Sequence, residues 1–97
     1  MPKDARPKEG DLLFFYGTEC THCHKMDPLI ERLEKEENLK VTRLEVWHNE
    51  KNARILEEYD QGNCGGVPFF FNKKNGTWLC GEVSYEELKD WALGKSG

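Results

Sequence analysis

Cys20-Thr21-His22-Cys23 constrains this chain more than any other stretch. It stands between a continuous apolar run, Leu12 to Tyr16, and a segment whose apolar residues recur at helical spacing. The run fits a strand buried on both faces. Two thiols three residues apart at the start of a helix can close a small disulfide ring. The free N–H groups and partial positive charge of the helix N-terminus favour a thiolate on the first of them. A thiolate is the nucleophile of thiol–disulfide exchange. The expectation is a redox-active dithiol in which Cys20 attacks and Cys23 resolves.

The 97 residues make one domain, and a chain of that size buries roughly 60–68% of its unfolded surface, enough for one modest core. The net charge of −4 comes without a basic stripe to neutralise phosphates, which argues against nucleic acid as a partner. Apolar segments fall short of the ~18 residues of a membrane span. Met1 to Gly10 is charged and Pro-containing rather than a signal-peptide pattern, which favours a cytoplasmic or organellar location. Four cysteines are too few for a disulfide scaffold. A C-x-x-C near a βαβ pattern points to redox chemistry instead.

Along the chain, residues 1–10 read as a flexible lead-in and 11–94 as the folded domain. A helix is expected from Thr21 to Glu37, with Met26, Leu29, Ile30 and Leu33 facing inward, Pro28 kinking it and Asn38 capping its end. Leu39 to Trp47 reads as a second strand, parallel to the first because a helix joins them. Asn49 caps a second helix with Ala53, Ile55, Leu56 and Tyr59 inward. Val67 to Phe71 is the third strand, with Pro68 confined to its start. Asn75-Gly76 marks a hairpin, Thr77 to Cys80 returns, and Ser84 to Glu87 is a capping box opening a last helix. The order β-α-β-α-β-β-α implies an α/β fold, one four-stranded mixed sheet with helices on both faces. The acidic run Glu34 to Glu37 reads as a solvated helix end, and Trp47 and Trp78 as core or rim.

In this order the chain resembles the thioredoxin-like superfamily over residues 11 to 93. The resemblance rests on the C-x-x-C between strand and helix, on Pro28 eight residues after Cys20, on Val67-Pro68, and on the closing hairpin and capped helix with Gly81 between. Its length is that of a minimal thioredoxin- or glutaredoxin-type domain. The resemblance implies a thiol–disulfide oxidoreductase, a cis bond before Pro68, and a groove at Val67-Pro68 where a substrate chain pairs. The implied partners are a disulfide-containing protein or small-thiol substrate, and a reductant or oxidant protein or glutathione. Departures are local. Phe14 stands where thioredoxin has its buried aspartate, Gly17 where glutaredoxin has a lysine, and Cys80-Gly81 where glutaredoxin has a glycine pair.

Cys20 and Cys23 are the catalytic candidates, with His22 stabilising the thiolate and so making the pair more oxidising. Glu19 opposes it weakly, being solvated. Thr21, Val67 and Pro68 are the substrate-contacting candidates. Cys64 and Cys80 read either as a second redox pair or as two small buried apolar residues. No cofactor or metal is assigned, no membrane or nucleic-acid contact is expected, and the chain is expected to be a monomer. His24 completes a C-x-x-C-H haem-attachment pattern, which the strand–helix context outweighs. The competing function is a binding module of the same fold, holding a metal or iron–sulfur cluster or docking a partner without turnover.

Overall fold

The computed structural model describes residues 10–94. The lead-in expected over residues 1–10 therefore lies, apart from Gly10, outside the described residues. Seven elements follow in the expected order: β1 (Leu12–Tyr16), α1 (Thr21–Glu37), β2 (Val41–Glu45), α2 (Glu50–Asp60), β3 (Phe69–Asn72), β4 (Thr77–Cys80) and α3 (Tyr85–Leu93). The strands form one sheet in the order β2-β1-β3-β4. β1 and β2 are parallel, and β1–β3 and β3–β4 are antiparallel.

The apolar run of β1 is continuous because both faces of the sheet are covered. Leu12 and Phe14 point to one layer, with Phe70 of β3, Met26, Ile30 and Leu33 of α1, and Leu88, Trp91 and Ala92 of α3. Leu13 and Phe15 point to the other, with Phe69, Val46 and the apolar stripe of α2. Strand alternation thus sorts one sequence into two cores. The Phe14 ring stacks 4.9 Å from that of Phe70, and the Phe15 ring lies tilted 5.9 Å from that of Phe69, one pair on each side.

Two strands are displaced from their expected bounds. β2 is Val41–Glu45 rather than Leu39–Trp47, because its partner β1 offers five residues to pair with. At its start, the Leu39 N–H closes the end of α1 on the Glu34 carbonyl at 3.1 Å, next to Asn38 in the left-handed region at φ 55°. At its far end, Trp47 N–H turns back to the Glu45 carboxylate at 3.2 Å. β3 begins at Phe69, one residue after Pro68, and gains Asn72. Pro68 has no N–H for the ladder, but its carbonyl accepts from Gly81 at 2.8 Å. Pro28 lies inside α1, which continues through it to Glu37.

The acidic run at the end of α1 is a set of ties rather than a solvated end. Glu34 accepts the Val41 N–H at 2.8 Å and pairs with Arg43 at 3.3 Å. Glu36 pairs with Arg32 and accepts the Tyr85 hydroxyl at 2.9 Å, and Glu37 pairs with Lys89 at 3.4 Å. These contacts hold α1 to β2 and to α3. Among the described residues no helix is long and apolar enough to cross a membrane.

Candidate active site

The end of β1 delivers the chain into the turn Gly17-Thr18-Glu19, closed by Cys20 N–H on the Gly17 carbonyl at 3.0 Å. Cys20 is the N-cap of α1 in extended conformation, and its sulfur fills the role a serine oxygen usually fills. Cys20 Sγ accepts the Cys23 N–H at 3.2 Å. An unpaired helix-start N–H is thereby satisfied by the sulfur that would carry charge as a thiolate. Both cysteines are free thiols. Cys20 keeps 7% of its surface exposed and Cys23 only 1%, so the outer sulfur is the one a substrate can reach. Burial, reinforced by the hydrogen bond with Cys20, pushes the Cys23 thiol far above its ordinary value. The inner cysteine is therefore a protonated thiol at neutral pH.

The surrounding loop is held by groups that are far apart in sequence. The Glu45 carboxylate accepts from Thr18 N–H at 2.9 Å, Thr18 Oγ1 at 3.0 Å, Trp47 N–H at 3.2 Å and His48 N–H at 2.8 Å. Partial burial pushes this carboxyl up, but the hydrogen bonds from His48, Thr18 and Trp47 outweigh it and hold it below the ordinary carboxylate value. The Trp47 indole lies flat against Gly17. A Cβ at residue 17 would stand 2.1 Å from Trp47 Cδ2.

All three histidines of the chain are engaged around this loop. His22 shares a 2.9 Å contact with Glu82, from the segment between β4 and α3. His24 Nε2 donates to the Thr18 carbonyl at 2.5 Å, and its Nδ1 meets the Asp27 carboxylate at 3.1 Å. Both partners are acceptors, so the ring that satisfies both carries two N–H groups and a positive charge. The Thr18 carbonyl first, and the Asp27 carboxylate second, raise the His24 pKa above its ordinary value. His48 Nε2 sits 2.8 Å from both oxygens of Glu19, and this contact raises the His48 pKa. Glu19 thus meets a histidine instead of water alone. Sequence reasoning left His48 and Glu45 without a role. They act from 27 to 29 residues away, and neither position belongs to a motif, so no local signal marks them.

Of the other site residues, Thr21 is exposed on the first turn of α1, while Pro68 is buried and follows a cis Val67–Pro68 peptide bond. Val67 packs against both cores, the one holding Cys20 and Cys23 and the one against which Cys64 packs. A groove of about 430 Å³ runs beside it, lined by Val46, Trp47, Ala53, Leu56, Gly66 and Val67 among others. Cys64 and Cys80 are joined by a disulfide, with their Cα atoms 5.5 Å apart.

No protein-family model matches the sequence, and no curated protein sequence matches it. Solved structures do. A glutaredoxin from Archaeoglobus fulgidus superposes with a TM-score of 0.63 at 17% identity, covering 84% of each chain. A mutant thioredoxin from Halobacterium salinarum NRC-1 gives 0.66 at 24% identity, covering 89% of this chain and 74% of that one. A mutant thioredoxin-like protein gives 0.59 at 14% identity, covering 90% of this chain and 99% of that one. At these identities the likeness concerns architecture. The parallel β1–β2 pair joined through α1, the antiparallel hairpin β3–β4 and the helices on both faces are those of the thioredoxin-like fold, and this chain adopts that fold.

Proposed function

We propose that this chain is a thiol–disulfide oxidoreductase that uses the Cys20–Cys23 dithiol on protein or small-thiol disulfides. One observation carries the reading. The two free thiols form a matched pair at a helix start, the outer one capping the helix and accepting an N–H, the inner one buried and protonated.

The Cys20 thiolate attacks one sulfur of a substrate disulfide. A mixed disulfide forms, and the departing substrate sulfur leaves as a thiolate and takes a proton. The Cys23 thiol then gives up its proton, and its sulfur attacks Cys20 Sγ. The second substrate thiol is released, the Cys20–Cys23 disulfide forms, and two electrons have passed to the substrate. Run backward, the same steps oxidise a dithiol partner. Burial keeps Cys23 protonated and silent until the mixed disulfide turns Cys20 Sγ, already beside it, into an electrophile. Thr21 and Val67 flank the approach, and the substrate chain lies against Val67, which the buried Pro68 positions. His22 is the residue that tunes the Cys20–Cys23 pair, and its 2.9 Å contact with Glu82 draws its ring toward that carboxylate. The partners are disulfide-bearing proteins or small thiols, and a reductant, oxidant or glutathione resets the pair.

The test is a redox titration in glutathione buffers with alkylation and mass mapping. Cys20 and Cys23 should become protected together with one reversible midpoint. Cys20→Ser should abolish exchange at the Cys20–Cys23 site, and Cys23→Ser should accumulate a mixed disulfide at Cys20. His22→Pro should move the midpoint in the reducing direction. If Cys20→Ser retained full exchange, the reading would fall. The alternative, a module of the same fold that holds a metal or iron–sulfur cluster or docks a partner without turnover, predicts instead that Cys20 and Cys23 are alkylated separately or stay masked until a chelator is added.

A further inference from the structure

A second pair of sulfurs lies on the other side of the sheet. Cys80 stands directly opposite Phe69 in the β3–β4 ladder, and directly paired residues of an antiparallel ladder share a face. Phe69 belongs to the core beneath α2, and Cys64 packs against that same core. Cys20 and Cys23 belong to the core beneath α1 and α3. The two sulfur pairs therefore belong to cores on opposite faces of the sheet.

The two halves of this disulfide are each held by contacts that do not involve the S–S bond. On one side, the buried Asp60 carboxylate accepts the Cys64 N–H at 2.6 Å and the Gly65 N–H at 2.8 Å, and its carbonyl accepts the Asn63 N–H at 2.9 Å. Asp60 is the last residue of α2, so the loop carrying Cys64 is clamped to the end of a helix. On the other side, Cys80 ends β4, and the next N–H, that of Gly81, bonds the Pro68 carbonyl at 2.8 Å. Breaking the S–S bond leaves the Asp60 clamp, the β3–β4 ladder and the Gly81 contact in place. The two sulfurs stay near each other and can pair again. Access is unequal: Cys80 is exposed and Cys64 is half-buried.

We propose that Cys64–Cys80 is a second, reversible thiol-exchange site, entered at Cys80 by an external thiol and independent of Cys20–Cys23. The thiolate of an external small thiol, of the glutathione class, attacks Cys80 Sγ. The S–S bond breaks, and Cys64 leaves as a thiolate that takes a proton. A second thiol equivalent attacks the external sulfur of the mixed disulfide and releases Cys80. The external thiols end as their own disulfide, and two electrons have entered Cys64–Cys80. Together with the first dithiol the chain would hold four exchangeable electrons. Gly65, Gly66 and Val67, which follow Cys64, line the groove beside Trp47.

The experiment uses the full chain and a Cys20→Ser/Cys23→Ser variant in glutathione buffers, with acid quench, alkylation, mass mapping and far-UV circular dichroism at each point. In both proteins Cys64 and Cys80 should pass together between protected and alkylated forms, reversibly, with the dichroism unchanged. A glutathione adduct trapped early should map to Cys80. Should the double variant fail to fold, the full chain alone still decides, because mapping assigns each thiol separately. Resistance to reduction until the protein unfolds, or loss of the dichroism on reduction, would overturn the proposal and leave a structural staple. Failure of exchange at Cys20–Cys23 with exchange preserved at Cys64–Cys80 would remove the oxidoreductase reading and leave this one standing.

Discussion

At the scale of single residues, the loop before Cys20 is governed by charge states that respond to pH in opposite senses. Glu45 has a depressed pKa, so its contribution is present above the ordinary carboxylate value and is lost as pH falls through the folded one. His24 and His48 have raised pKa values, so theirs is full below the ordinary 6.5 and is lost as pH rises through the folded ones. The loop is tied at every point between those limits. In an NMR titration the His24 ring should titrate above 6.5, and a midpoint at or below that value would show that the Thr18 and Asp27 contacts do not hold it. The Thr18, Trp47 and His48 amide signals should move together as Glu45 protonates. Gly17 sets a steric constraint on the same loop. Its Cβ position is occupied by the Trp47 ring, so Gly17→Ala must displace the indole. We expect a loss of about 1–3 kcal/mol, read by urea denaturation, the usual range for overpacking. An unchanged midpoint would mean that the half-exposed indole swings away freely.

At the scale of elements, the ends carry as much information as the middles. Ser84 accepts the Glu87 N–H at 3.2 Å, and the Glu87 side chain accepts the Ser84 N–H at 3.1 Å, a reciprocal cap that opens α3. Ser84→Ala should cost about 1 kcal/mol in denaturant melts, the usual worth of an N-cap. Asn72 is buried at the end of β3, donating to the Trp91 carbonyl at 3.0 Å and accepting from Lys74 N–H at 2.9 Å. Asn72→Ala leaves a buried carbonyl without its donor, and about 1–3 kcal/mol should be lost for that alone. The cap was legible in the sequence because Ser84 and Glu87 stand three apart. The hairpin was legible from Asn75-Gly76, and the two-core sorting from the unbroken apolar run of β1. The role of Asn72 was not legible, because its partner lies 19 residues away on a helix face. The same holds for the site. The C-x-x-C announces itself through local spacing, whereas Glu45, His48 and Glu82 act through chain crossings that no local pattern records. Nor could the spacing of Cys64 and Cys80 decide whether their Cα atoms come within bonding range, since that distance depends on the loop that Asp60 folds.

At the scale of the whole molecule, the sheet is a partition with one seam. Each sulfur pair belongs to its own layer, and most side chains serve one layer only. Val67 packs against both cores and precedes the proline whose carbonyl anchors Gly81. A change confined to one layer should therefore register at that layer's sulfurs, and a change at Val67 should register at both. Leu56→Ala, in the layer beneath α2, should alter the reduction rate of Cys64–Cys80 and leave the alkylation rate of Cys20 within experimental error. Ile30→Val, beneath α1, should do the reverse, at a cost of about 0.5–1.5 kcal/mol. Val67→Ala should shift both rates together. If it moved one pair alone, the two cores would be mechanically separate, and the seam would be a boundary rather than a joint. A joint shift would give a reason for the chain to place Cys64 four residues before Pro68: the loop that carries Cys64 then shares its last apolar contact with the layer that holds Cys20.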